Sequence, residues 1–105
     1  MSPRTIGDGT RQILEAIRAG HRHGADIMEA TAQGGGTVYK VLRRMEERGW
    51  VAGRWEDASV AERERRPRRR YYRVTSEGQS ELARAAQREV KVRGELRAAA
   101  TGRSR

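Results

Sequence analysis

Along residues 11–48 the apolar positions recur with a helical period and are punctuated by glycine. Ile13, Leu14 and Ile17 share one face of a first helix that starts at Arg11, capped by Thr10, and ends at Gly20. A turn, His21-Arg22-His23-Gly24, leads to a short second helix with Ile27, Met28 and Thr31 on its apolar side. Gly34-Gly35-Gly36 reads as the turn that breaks it, because three glycines inside an element cost backbone entropy. Val38, Val41, Leu42 and Met45 then recur at i, i+3, i+4 and i+7, which predicts a third helix over residues 37–48, closed by Gly49.

The period changes after Gly49. Residues 50–56 and 69–75 read as strands, with Val51 and Trp55 on one side of the first and Tyr72 and Val74 on one side of the second. Residues 57–68 between them are charged and aperiodic, and predict an exposed hairpin loop. Thr75 or Ser76 caps a long last helix over residues 77–100. Leu82, Ala86, Val90 and Leu96 lie on its broad side, with Ala85, Val92 and Ala99 beside them. Residues 1–9 read as a flexible arm and 101–105 as a fraying tail. The fold class is therefore mainly α with a small β-hairpin. Three helices followed by a hairpin make a winged helix-turn-helix over residues 10–76, to which the final helix is appended.

Charge sharpens this picture. The 105 residues carry a formal net charge of +9, so polyanions are the expected partners, nucleic acid first and acidic membrane surfaces second. From Glu62 to Arg73 there are seven arginines (Arg63, Arg65, Arg66, Arg68, Arg69, Arg70, Arg73) against Glu62 and Glu64, a net +5 of that +9. Such a hairpin lies along a phosphate backbone, where charge raises affinity without specifying sequence. On the third helix, Thr37, Tyr39, Lys40, Arg43 and Arg44 form the polar front opposite the apolar back. Hydroxyls there can bond phosphates, and arginine can read guanine with two hydrogen bonds.

Other chemistry is thin. Without cysteine there is no disulfide and no thiolate metal site, which suits a reducing cytoplasm. The first residues lack the apolar stretch of a secretory signal, and no apolar run is long enough to span a membrane. His21 and His23, with Asp26 as the only nearby carboxylate, make an incomplete metal site, so a turn or packing role is expected. The glycine triplet lacks the Lys-Ser/Thr of a phosphate loop, and no nucleophile–base–acid set is present. Neither catalysis nor a cofactor is expected.

Three stretches together resemble the PadR family of bacterial transcriptional regulators. They are Ile13-Leu14-Glu15-Ala16-Ile17 with His23-Gly24-Ala25-Asp26-Ile27; the run from Gly36-Thr37-Val38-Tyr39-Lys40 to Arg48-Gly49-Trp50-Val51; and Pro67-Arg68-Arg69-Arg70-Tyr71-Tyr72-Arg73-Val74-Thr75-Ser76-Glu77-Gly78. The likeness spans residues 10–85. It implies a winged-helix homodimer, usually a repressor, released from its operator by a small molecule. It places Gly36, Thr37, Tyr39 and Lys40 at the start of the recognition helix and implies that the last helix dimerises. The chain departs from the family pattern at Ala25, often an aromatic, and at Lys40, often a proline. Its last helix has no aromatic with which to clamp a flat ligand, and Trp50 and Trp55 read as core or hairpin residues.

The expected partners are thus a two-fold symmetric duplex operator and a second copy of the chain. Val92, Leu96 and Ala99 lie too far along the last helix to reach the core, since ten residues advance it about 15 Å. They are expected to meet a mate, with Ile13 and Ile17 of the first helix supplying the other half of the contact. A winged-helix module gripping an acidic protein, and a basic RNA-binding protein, stay open as alternatives. Five aromatics offer the latter a poor stacking platform.

Overall fold

The structure is a computed structural model that describes the backbone of residues 7–102 and the side chains of residues 7–97. Helix α1 (Asp8–Arg18) opens from an extended Gly7, three residues before the predicted start. Asp8 sits in its first turn, where a carboxylate complements the helix dipole. Helix α2 (Gly24–Thr31) ends at Ala32, which adopts the left-handed conformation at φ 55°. The glycine triplet is not a turn. Gly34 is the extended cap, and Gly35 and Gly36 already belong to α3 (Gly35–Glu47). The backbone bond from Val38 N to Gly34 O, 3.0 Å, makes the first turn of that helix. Its registry therefore follows from the docking of Val38, Leu42 and Met45, all fully buried, and not from local propensity.

Strands β1 (Val51–Trp55) and β2 (Arg70–Val74) pair antiparallel from Val51–Val74 to Trp55–Arg70. The predicted exposed loop between them contains a helix, α4 (Ala58–Glu64). Asp57 caps it by accepting from Ser59 N at 3.3 Å, and Ala61 is buried. One backbone bond, Tyr72 N to Arg22 O at 2.8 Å, ties the α1–α2 loop to β2.

Helix α5 (Ser76–Gly102) follows at once. Thr75 joins it to the rest: its hydroxyl accepts from Gly78 N at 3.1 Å and donates to Gly49 O at 2.5 Å. Gly49 stands at φ 77°, the left-handed turn that closes α3 and starts the hairpin.

The core is one cluster of Ile13, Leu14, Ile17, Ile27, Val38, Leu42, Met45, Val51, Tyr72 and Leu82. Burial of each large aliphatic stabilises the fold by about 1.5–3 kcal/mol. One expectation for the dimer surface changes here. Ile13 (0% exposed) and Ile17 (3%) are consumed by the chain's own core and leave no face for a second copy. On α5 the inward residues are Leu82 and Ala85, while Ala86 is exposed. Val90, Val92 and Leu96 are all more than half exposed. The side chain of Ala99 lies outside the described residues, as does the predicted arm before Gly7. The architecture is a winged helix-turn-helix with a long C-terminal helix. Among the described residues no helix is long and apolar enough to cross a membrane.

Candidate nucleic-acid interface

On α3 the burial of Val38, Leu42 and Met45 turns the opposite side outward. Gly36, Thr37, Tyr39, Lys40, Arg43 and Arg44 are all exposed. Among the described residues Lys40, Arg43 and Arg44 form no ion pair. Tyr39 leans back against Gly24 at the start of α2. Its ring borders a cleft of about 550 Å³ whose other side is the hairpin, with Trp55 and the segment from Arg66 to Arg70. The third helix and the hairpin arginines are thus two walls of one groove.

The hairpin arginines do not act as one free cluster. Glu56, only 5% exposed, lies at their centre. Its carboxylate accepts from Arg66 Nη1 (2.7 Å) and Nη2 (2.9 Å), from Arg69 N (3.3 Å) and from the Tyr71 hydroxyl (3.2 Å). Its carbonyl accepts from Arg68 Nε at 2.9 Å. Removing a carboxylate from water is costly unless donors replace the water, and four do so here. The second internal pair joins hairpin to helix: Arg70 Nη2 donates to Glu46 Oε2 on α3 at 2.7 Å, and Nε to Oε1 at 3.3 Å. The Arg70 guanidinium also lies 5.2 Å from the Trp55 ring centroid.

Arg66 and Arg70, expected as DNA contacts, are thus each paired with a carboxylate of the chain itself. Their charge is already matched, and bidentate geometry holds it in place. Arg63 and Arg65 are exposed on and after α4, Arg68 is exposed with its Nε on the Glu56 carbonyl and its guanidinium 5.9 Å from the Trp55 ring centroid, and Arg69 is half-buried. The residues that sequence reasoning missed are the two carboxylates, Glu46 and Glu56. Neither has a local signal, because their partners lie 10 to 24 positions away.

The histidines have packing roles. His21 Nδ1 lies 3.0 Å from Asp26 Oδ1, and the His23 ring meets the Tyr71 ring edge-on at 5.7 Å. Burial, and then the Arg69 guanidinium, push the His23 imidazole below its ordinary value. Among the described residues no group of three metal-ligating side chains forms.

Glu56 makes a testable statement about stability. The Arg66 guanidinium lowers its pKa from 4.5 to about 2. A carboxyl depressed on folding contributes stability that is complete above its unfolded pKa and is lost as pH falls through the folded value. The melting temperature is expected to fall between pH 4.5 and about 2 in part through this group. Glu56→Gln should lower the melting temperature at neutral pH and flatten that acid limb. Parallel melting curves of variant and wild type across this range would show that the carboxylate carries no such share.

The PadR-like family of transcriptional regulators matches residues 13–84, more than half of the chain, from the middle of α1 through the hairpin into α5. This chain belongs to the PadR-like family of transcriptional regulators. No protein of curated function matches it in sequence. Solved structures share its fold at low identity. A PadR family regulator from hypervirulent Clostridium difficile superposes with a TM-score of 0.73 at 21% identity, covering 87% of this PadR-like chain and 96% of its own. BpsR of Bordetella bronchiseptica, whose DNA binding is regulated by 6-hydroxynicotinic acid, gives 0.68 at 19%, covering 90% and 67%. A mutant of Staphylococcus aureus MepR bound to an oligodeoxyribonucleotide gives 0.67 at 19%, covering 89% and 64%. The PadR-like chain thus spans about two thirds of the length of these last two neighbours.

Proposed function

We propose that this PadR-like chain is a cytoplasmic homodimeric repressor that reads a two-fold symmetric DNA operator through α3. The supporting observation is the contrast on its outer side. The hairpin's Arg66 and Arg70 are internally paired, whereas Lys40, Arg43 and Arg44 stand exposed without carboxylate partners among the described residues. Unpaired cations beside hydroxyls on an exposed helix face suit phosphates and guanine edges. Thr37 and Tyr39 supply the hydroxyls, and exposed Arg63, Arg65 and Arg68 supply sequence-independent charge on the hairpin. Arg69 adds to it from a half-buried position. Glycine at position 36 lets the backbone at the start of α3 approach a phosphate.

A small molecule then releases the DNA. BpsR, a neighbour in fold, is regulated in that way. The cleft of about 550 Å³ lies between Tyr39 and the hairpin, where an occupant would stand in the path of the DNA backbone.

Selection of bound sequences from a random duplex pool tests the function, and a two-fold symmetric motif is the expected product. On that motif Lys40→Ala and Arg43→Ala should each weaken binding by about 1–3 kcal/mol if they read a base, with preference relaxed at one position. If both variants bind like wild type, this face of α3 is not the reader.

A further inference from the structure

The two sides of the hairpin carry different chemistry. Register places Ala52 opposite Arg73 and Arg54 opposite Tyr71. These four side chains leave the sheet on the side away from Val51, Tyr72 and the core. The bond from Tyr72 N to Arg22 O draws the α1–α2 loop alongside. The result is a groove of about 460 Å³ with Arg22, Arg54 and Arg73 around it, Tyr71 beside them, and Ala52 and Gly53 as its floor.

All three arginines are exposed, and among the described residues none forms an ion pair. Arg54 is held along the sheet, its guanidinium carbon 5.6 Å from the Tyr71 ring centroid. Glu56, which follows β1 on this side, offers them nothing: Arg66, the Arg69 amide and the Tyr71 hydroxyl already occupy its carboxylate. Three unmatched guanidiniums around one concavity repel one another, and a ligand with several spaced negative charges relieves that repulsion. Guanidinium is the side-chain group best suited to phosphate oxygens. A single carboxylate would satisfy only one of the three.

We propose that this outer side of the hairpin is a second DNA contact, at which Arg22, Arg54 and Arg73 hold a phosphodiester backbone other than the one beneath α3. The proposal rests on the reading of α3 as the DNA-binding helix. The backbone belongs either to the same duplex beyond the operator or to a second duplex, and the two sources are separable.

The test uses full-length protein and the selected motif in three forms: a duplex cut to the motif, the motif with about two further helical turns on each side, and the cut duplex with an unrelated duplex added. The variant is the triple change Arg22→Gln, Arg54→Gln and Arg73→Gln, with the corresponding triple lysine variant as a charge-preserving control. The dependence of affinity on salt is read for each. Wild type and glutamine variant should match on the cut duplex. On the extended duplex, or on capture of the added one, the glutamine variant should lose up to about three phosphate contacts' worth of salt dependence, which the lysine variant retains. Loss on the extended duplex assigns the flank, and loss only on the added duplex assigns a second molecule. An equal loss on all three forms, or no loss on any, overturns the proposal. Wild type that binds none of them overturns the α3 reading itself, and this proposal with it.

Discussion

Gly78→Ala is expected to destabilise the fold by about 3 kcal/mol, the upper part of the range for overpacking. Gly78 is buried in the first turn of α5, against the start of the hairpin. A Cβ on it would overlap the Trp50 carbonyl oxygen and stand 2.8 Å from Val74 Cγ1. The Trp50 oxygen cannot retreat, because it accepts from Thr75 N at 3.0 Å. Nor can the helix retreat without breaking the Thr75 cap, which bonds both Gly78 N and Gly49 O. The backbone on both sides is thus fixed by hydrogen bonds, which is why a single methyl group costs so much. For a domain of this size the melting temperature should fall by at least about 12 °C. A drop of only a few degrees would mean that α5 slides away from Trp50 cheaply, and that the junction between hairpin and helix is softer than these bonds imply.

Leu96→Glu is expected to convert a dimer into a monomer and to weaken operator binding by about 10²- to 10⁴-fold, the advantage of two linked half-sites. Leu96 is 66% exposed, with Val90 at 68% and Val92 at 52%, on a helix that continues past its last contact with its own core. Val92 and Leu96, four positions apart, share one side of this helix of 27 residues, and leaving that apolar pair in water is costly. A second copy of the same helix is the commonest way to cover it. With Ile13 and Ile17 withdrawn into the core, the mate must be met by α5 itself or by the outer side of α1. Arg11 pairs with Glu89 there at 2.6 Å, beside a groove that includes Val92. Sedimentation at micromolar concentration decides. A monomeric wild type, or a variant that stays dimeric, removes α5 from the interface. The helix-hairpin frame should melt like wild type in either case, since Leu96 touches none of its core.

The elements were legible where one side of the chain is apolar and the period is long enough to count. Helix α3 is the best example: Val38, Val41, Leu42 and Met45 announce it, and its polar front follows by geometry alone. Its start was not legible. Three glycines locally favour a turn, and only the docking of Val38 against the core makes Gly35 and Gly36 helical. Helix α4 was hidden for a different reason. With seven residues and one buried alanine it has no period to detect, although Asp57 followed by Ser59 is a usable capping signal.

Residue order alone dictates the helix-hairpin succession, the apolar faces of α1 and α3, the excess positive charge and its concentration near the hairpin. These depend on residue type and short spacing, and both are properties of the chain before it folds. Tertiary structure alone decided which of those charges are free. Arg66 and Arg70 look like their neighbours in sequence, yet each meets a carboxylate 10 or 24 residues away, while Arg54 and Arg73 face the other side of the sheet without one. It also decided that Ile13 and Ile17 are core and that Val92 and Leu96 are surface. An amphipathic stripe states that a face must be covered. What covers it is set by the elements that arrive from elsewhere in the chain, and no local pattern encodes their arrival.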